Sequence, residues 1–156
     1  MGMEKIGTAL GRIPSGLFIL TSHYQGHDEA ILVSWVSQCS FEPPTLTVVL
    51  SQDRSAREII KESQAFIINV LGKENLSLIK RFSKPVLSDS IFEGLEFRRG
   101  FGNSAILENT VAYMECEFLE SIPATDHFIF LGKIIGGDLL KAGDPYIHIR
   151  KSGFSY

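Results

Sequence analysis

Three hydroxyl residues, Ser34, Ser37 and Ser40, recur at every third position of a stretch that ends in Phe41-Glu42-Pro43-Pro44. Side chains at odd spacings on a strand point to opposite faces, so this series cannot form one polar face of a regular ladder. Two readings stay open. An irregular segment could present hydroxyls and backbone N–H groups to a bound polar molecule, with the proline pair ending the irregularity before the next strand. A bulged strand end with solvated serines would show the same pattern.

Other residues of chemical interest lie on either side. Arg54, Ser55 and Arg57 surround an expected helix start, because Ser55 followed by Glu58 has capping-box spacing. Unpaired N–H groups and the positive end of the helix dipole favour an anion there, although an ordinary surface helix with solvated arginines needs no ligand. Asn69 closes the apolar run Phe66-Ile67-Ile68, either to contact a ligand or as a buried amide satisfied by backbone. Trp35 suits ring stacking, a subunit contact or the core. His127 follows Asp126 at the start of an apolar run, where a histidine otherwise serves as a hydrogen-bonded structural residue. His23, His27, Asp28 and Glu29 have ligand-type side chains but no metal spacing, so no metal site is expected.

Composition narrows the classes. The chain has 156 residues, 44% of them hydrophobic, which suits one domain spanning residues 1–156 with a sizeable core. A formal net charge of −3 without a basic run argues against nucleic acid as a partner. The sequence has no apolar run of membrane-spanning length and no signal-type start, so a cytoplasmic location and no membrane partner are expected. Its two cysteines, Cys39 and Cys116, form no Cys-x-x-Cys pair. Cys116 alternates with Met114 and Phe118 as a small core residue, whereas Cys39 belongs to the polar segment.

The elements that must position these groups follow from periodicity. Residues 3–11 read as a helix ended by Pro14-Ser15-Gly16, and strands are expected at 17–24, 30–36 and 45–51, with a polar turn over 25–29. A helix should run from Ser55 to about Glu62, and a strand from Ala65 to Leu71. Asn75 caps a second helix with Leu76, Ile79 and Phe82 inward and Pro85 past its end. Val86 to Asn103 is irregular and aromatic-bearing, a candidate lid or subunit contact. Strands follow at 110–121, 127–135 and 145–150. The strand from His127 is apolar on both faces, which suggests a barrel wall with a second subunit packed outside. Many strands, two short internal helices and no βαβα order argue for a mainly β, closed antiparallel fold with peripheral helices.

Several blocks together carry a resemblance. Gly11-Arg12-Ile13-Pro14-Ser15-Gly16-Leu17-Phe18-Ile19-Leu20-Thr21, the segment ending Phe41-Glu42-Pro43-Pro44, Phe66 to Leu71, Arg81-Phe82-Ser83, Ala112 to Cys116 and Asp126 to Ile134 occur in one order. The series, from about residue 9 onward, resembles the flavin reductase-like family of FMN-binding split barrels. The resemblance implies an antiparallel split β-barrel of Greek-key type with short peripheral helices, and FMN as cofactor. It implies that Arg54, Ser55 and Arg57 sit at the flavin phosphate, with Arg57 where the family frequently has Thr. Ser37, Gln38, Cys39 and Ser40 would meet the flavin ring edge, supporting its charge on reduction. Ser34, Trp35 and Asn69 complete the implied cofactor set. His127 matches the histidine of the family's Gly-Asp-His motif near flavin and nicotinamide, although Thr125 replaces the glycine.

The activity implied is an NAD(P)H:flavin oxidoreductase, a homodimer moving hydride from NADH or NADPH to FMN and electrons onward to an acceptor, with a separate redox protein as one candidate. The alternative is an FMN-binding electron carrier without a nicotinamide site. No Gly-x-Gly-x-x-Gly run follows a strand, so a nicotinamide would be held transiently in an open cleft rather than in a Rossmann unit.

Overall fold

A computed structural model describes residues 2–86 and 90–156. Helix α1 (Met3–Leu10) leads into β1 (Phe18–Tyr24) and β2 (His27–Val33), then β3 (Val36–Phe41) and β4 (Pro44–Ser51). Helix α2 (Ala56–Ser63), β5 (Ala65–Val70) and α3 (Leu76–Phe82) follow. A small hairpin of β6 (Phe97–Arg99) and β7 (Ala105–Leu107) precedes the long strands β8 (Ala112–Ala124) and β9 (His127–Leu139).

Seven strands form one antiparallel sheet in the order β2-β1-β5-β8-β9-β4-β3. It is mainly β and of split-barrel type, but not closed: β2 and β3 are its two edges, although Ser34 and Trp35 alone separate them in sequence. The expected closure is therefore corrected to an open seam.

Both faces of the central strands are covered. Leu20, Val48, Leu50, Phe66, Ile68 and Phe130 form one buried cluster with Ala56 and Ile60 of α2. Ile19, Leu71, Leu78, Phe82, Phe92 and Leu107 form a second one on the other side of β1. Neighbouring residues of β1 thus serve different cores, which is why its apolar run does not alternate with polar residues. Cys116 is fully buried, and burial, with Glu115 adding to it, pushes its thiol up to about 12. It acts as a small apolar residue rather than a nucleophile.

Gly132 marks a point of tight packing in the wall. A Cβ there would lie 2.5 Å from Cζ of Phe66, so the ring occupies the space that any larger residue needs. Register shifts in the β8–β9 ladder, at Glu115/Cys116 and Phe118/Glu120, interrupt pairing where the strands bend.

Several expectations need correction. The serine segment is largely a strand, β3, with a register shift between Gln38 and Ser40 that leaves Cys39 unpaired. Asn75 caps nothing with its side chain: its Oδ1 accepts from the Gly72 N–H and its Nδ2 donates to the Asn109 carbonyl. Helix α3 turns Leu78 and Phe82 inward and leaves Leu76 exposed. Ser55 and Glu58 form no capping box, since Ser55 donates instead to Glu29. The stretch 86–103 contains β6 and a 3-10 turn, Phe101–Asn103, while residues 87–89 lie outside the described set. Residues 145–150 make only isolated bridges, Gly72 with Pro145 and Ser15 with His148, rather than a strand.

Candidate functional site

The seam between β2 and β3 brings together residues distant in sequence. Val33 ends β2 facing the first core, and Trp35 turns the chain, its carbonyl accepting from the Val49 N–H of β4. This crossing leaves Ser34 on a hollow of about 340 Å³, shared with Arg54, Ser83, Tyr146, His148 and Tyr156. Ser34 is nearly buried, and among the described residues neither its hydroxyl nor the Arg54 guanidinium has a hydrogen-bond or ion-pair partner.

Arg54 also borders a larger cleft of about 640 Å³ lined by His27, Glu29, Asp53, Ser55 and Lys84 among others. Here Ser55 Oγ donates to Glu29 Oε2 at 2.8 Å. Asp28 on the same wall is occupied: Arg99 grips it with two nitrogens, at 2.5 and 2.9 Å, and His23 Nδ1 lies 2.9 Å away. Burial pushes the Asp28 carboxyl up, but the hydrogen bonds from Arg99 and His23 outweigh it and hold the group below the usual carboxylate range. Asp28 is thus paired, whereas Glu29 and Asp53 on the same wall, and the cations Arg54 and Lys84, have no ion pair among the described residues.

A third hollow, about 580 Å³, adjoins the first at Tyr156 and is lined by Trp35, Val49, Asp126, His127 and Arg150. The Trp35 and His127 rings are 5.0 Å apart, and the Arg150 guanidinium sits 5.2 Å from the indole. His127 Nδ1 is 2.7 Å from Asp126 Oδ1 and its Nε2 is 2.6 Å from the Tyr156 hydroxyl. A carboxylate only accepts, so Nδ1 carries a proton, and in the neutral imidazole Nε2 then accepts from the phenol. The hydrogen bond from His127 holds the Asp126 carboxyl below its ordinary value. Thr125 makes the turn into β9 at φ +58, the left-handed region that favours glycine.

The residues singled out in the sequence therefore separate into groups. Ser34, Trp35, Arg54, Ser55 and His127 border the three adjoining hollows. Ser37, Gln38 and Cys39 are exposed on edge strand β3, and Ser40 donates to the Pro43 carbonyl. In the single chain this is the bulged, solvated strand that stood as the second reading. Arg57 lies apart from the hollows, donating to the Gln52 carbonyl and stacking 3.8 Å from the Phe128 ring centre. Asn69 is fully buried; it donates to the Ile19 carbonyl and accepts from the Leu107 N–H, so its amide is satisfied by backbone. Among the described residues no cluster of acids, histidines or cysteines could hold a metal ion.

Lys84, Arg150 and Tyr156 border the hollows but were not singled out as candidates. Ser83 at least belongs to the Arg81-Phe82-Ser83 block, and Tyr146, His148 and Arg150 recur at every second position of the sequence. Tyr156 gave no local signal, because its contacts are all long-range.

The curled antiparallel sheet with its seam between β2 and β3 belongs to the split-barrel class. Residues 10–155 match the flavin reductase like domain, and the chain belongs to that family. It is 36% identical over 152 residues to diflavin flavoprotein A 1 of Synechocystis sp. (strain ATCC 27184 / PCC 6803 / Kazusa), covering 95% of this chain and 26% of that protein. It is 35% identical over 159 residues to the putative diflavin flavoprotein A 2 of Nostoc sp. (strain PCC 7120 / SAG 25.82 / UTEX 2576), covering 100% of this chain and 27% of that one. The chain thus spans about a quarter of the length of the curated relatives it matches. Among solved structures, flavin reductase HpaC complexed with NADP+ superposes with a TM-score of 0.80 at 25% identity, over 92% of this chain and 90% of that one. A homologue of nitrilotriacetate monooxygenase component B from Mycobacterium thermoresistibile superposes at 0.85 with 20% identity, over 92% and 80%.

Proposed function

We propose that this chain binds FMN along the row of hollows at the seam and catalyses its reduction by NADH or NADPH. The observation that carries the reading is the unpartnered Arg54 guanidinium beside the unpartnered Ser34 hydroxyl in one hollow. A cation and a hydroxyl held without protein partners suit an anionic group, and Lys84 on the adjoining rim adds a second positive charge. The residues fit a flavin mononucleotide: polar cationic walls for its phosphate and ribityl chain, and the apolar side chains of Leu17, Leu32 and Ile79 in the same hollow for a planar ring, which leaves the neighbouring indole of Trp35 to the nicotinamide. Ser55 can join only by releasing Glu29, so Arg54 is the principal phosphate group and Arg57 is left out of the set.

FMN, when bound, supplies the hydride-accepting ring, so the protein's part is binding and orientation. His127 is held by Asp126 in one tautomer beside Trp35, which fixes a polar edge where a nicotinamide would lie. Family membership and the likeness to a flavin reductase complexed with NADP+ support this reading. Ser37, Gln38, Cys39 and Ser40 would reach a flavin across a partner chain, which favours a homodimer. The outer face of β8 and β9, with Ile122 and Ile135 exposed at 39% and 45%, offers the apolar surface for one.

A second reading is favoured by one observation: the relatives are about four times longer, so the same module can serve as a flavin-bearing electron carrier beside other domains. Electrons would then pass to a separate acceptor. Anaerobic addition of NADH and NADPH to the FMN-loaded protein separates the two. Rapid bleaching of the flavin band supports the reductase; bleaching only by dithionite supports the carrier and overturns the reductase.

A further inference from the structure

Segment Arg150–Tyr156 is fixed to the body at its start and folds back at its end. Arg12 donates to the Arg150 carbonyl at 2.9 Å, and the Gly153 N–H donates to the Gly7 carbonyl of α1 at 2.7 Å. Gly153 lies so close to Leu10 that a Cβ would approach its side chain to 2.1 Å, so this point is clamped. Beyond the clamp, Arg150 donates to the Ser155 carbonyl at 3.1 Å, and the Tyr156 ring comes to 5.3 Å from Trp35. The Tyr156 hydroxyl donates to His127 Nε2. Tyr156 as a residue is 62% exposed, yet its hydroxyl end points into the hollow, and burial there pushes its pKa up, keeping it a neutral donor.

We propose that Tyr156 is a displaceable plug: its ring holds the place beside Trp35 and His127 that a nicotinamide ring takes, and nucleotide binding must first lift it. The proposal rests on the reading of this hollow as the nicotinamide site. Tyr156 imitates that ligand in two ways, as a planar ring beside the indole and as a polar group bonded to Nε2. The clamp at Gly153 holds the chain before it and leaves the movement to the residues after it, Phe154, Ser155 and Tyr156 among them, the first of which is also 56% exposed. Apparent affinity falls by the fraction of molecules in the open state, so a plug seated about nine-tenths of the time weakens nicotinamide binding about tenfold.

The test compares wild type, Tyr156→Phe and Tyr156→Ala in FMN-loaded protein. NAD+ and NADP+ affinities are measured by titration, and KM and kcat with NADH and NADPH in steady state. Trp35 is the only tryptophan, so its fluorescence also reports whether the plug is seated. Y156A is expected to bind the nucleotide about tenfold tighter and to lower KM by a similar factor with kcat kept, with Y156F between the two. Emission of Trp35 should shift on NAD+ addition in wild type toward the value that Y156A shows without nucleotide. Equal or weaker nucleotide binding by Y156A, or a gain confined to FMN, overturns the proposal while leaving the site reading intact. Failure of every variant, wild type included, to bind a nicotinamide nucleotide overturns the site reading and the proposal with it.

Discussion

Thr125 is the residue at which local chemistry and fold are least at ease. A β-branched side chain at φ +58 is disfavoured, because its Cβ crowds the carbonyl oxygen, and strain of this kind costs about 1–3 kcal/mol. Thr125→Gly removes the strain but loosens the unfolded chain, so the expected net gain is about 0.5–1 kcal/mol, read from urea unfolding. Loss of stability would mean that the Thr125 hydroxyl, which donates to the Ala124 carbonyl, matters more than the backbone. Asp28 supplies a second prediction. Its folded-state carboxyl titrates below the usual carboxylate range, so its stabilisation is full above the unfolded value and is lost as the pH falls through the folded value. Wild type should exceed Asp28→Asn in stability at pH 7, and the gap should close in acid; a gap that persists to pH 2 contradicts the ion pair as its source.

Among the elements, Gly132 of β9 is where packing leaves no room. Gly132→Ala drives a methyl against Phe66, and such overpacking costs about 1–3 kcal/mol. Phe66→Leu in the same chain should recover part of the loss, whereas additive losses in a double-mutant cycle would show no direct clash. The apolar strands β1, β4, β5, β8 and β9 were legible because burial on one or both faces dictates their residues. Strand β3 was not, because an edge strand with Ser37, Gln38 and Cys39 exposed carries no apolar face to read. Hairpin β6–β7 escaped because three-residue strands are shorter than any period. The ladder of β1 and β2 runs closer to the turn than the polar residues 25–29 suggested: Tyr24 pairs with His27 around Gln25 and Gly26, both at positive φ. Of the residues that border the hollows, Ser34, Trp35 and His127 fall in family-like blocks, and Arg54 stands beside an expected helix start. The unpaired state of Arg54 and the seat of Tyr156 depend on long-range contacts that no local pattern encodes.

For the whole molecule, the open seam and the apolar outer wall raise the same issue, since edges β2 and β3 and the face around Ile122 and Ile135 lack cover in one chain. The proposed homodimer predicts that wild type sediments as a dimer and that Ile135→Glu moves it toward monomer without unfolding it; a monomeric wild type would overturn the dimer, and an unchanged dimer would place the contact elsewhere. The central claim concerns Arg54 and is tested by FMN and riboflavin affinities of wild type and Arg54→Ala, since the two ligands differ only in the phosphate. A lost charge-assisted contact of about 1.5–3 kcal/mol predicts that R54A binds FMN about ten- to a hundredfold more weakly and riboflavin almost as wild type does. Equal losses for both ligands, or none for either, would contradict the placement of the phosphate at Arg54.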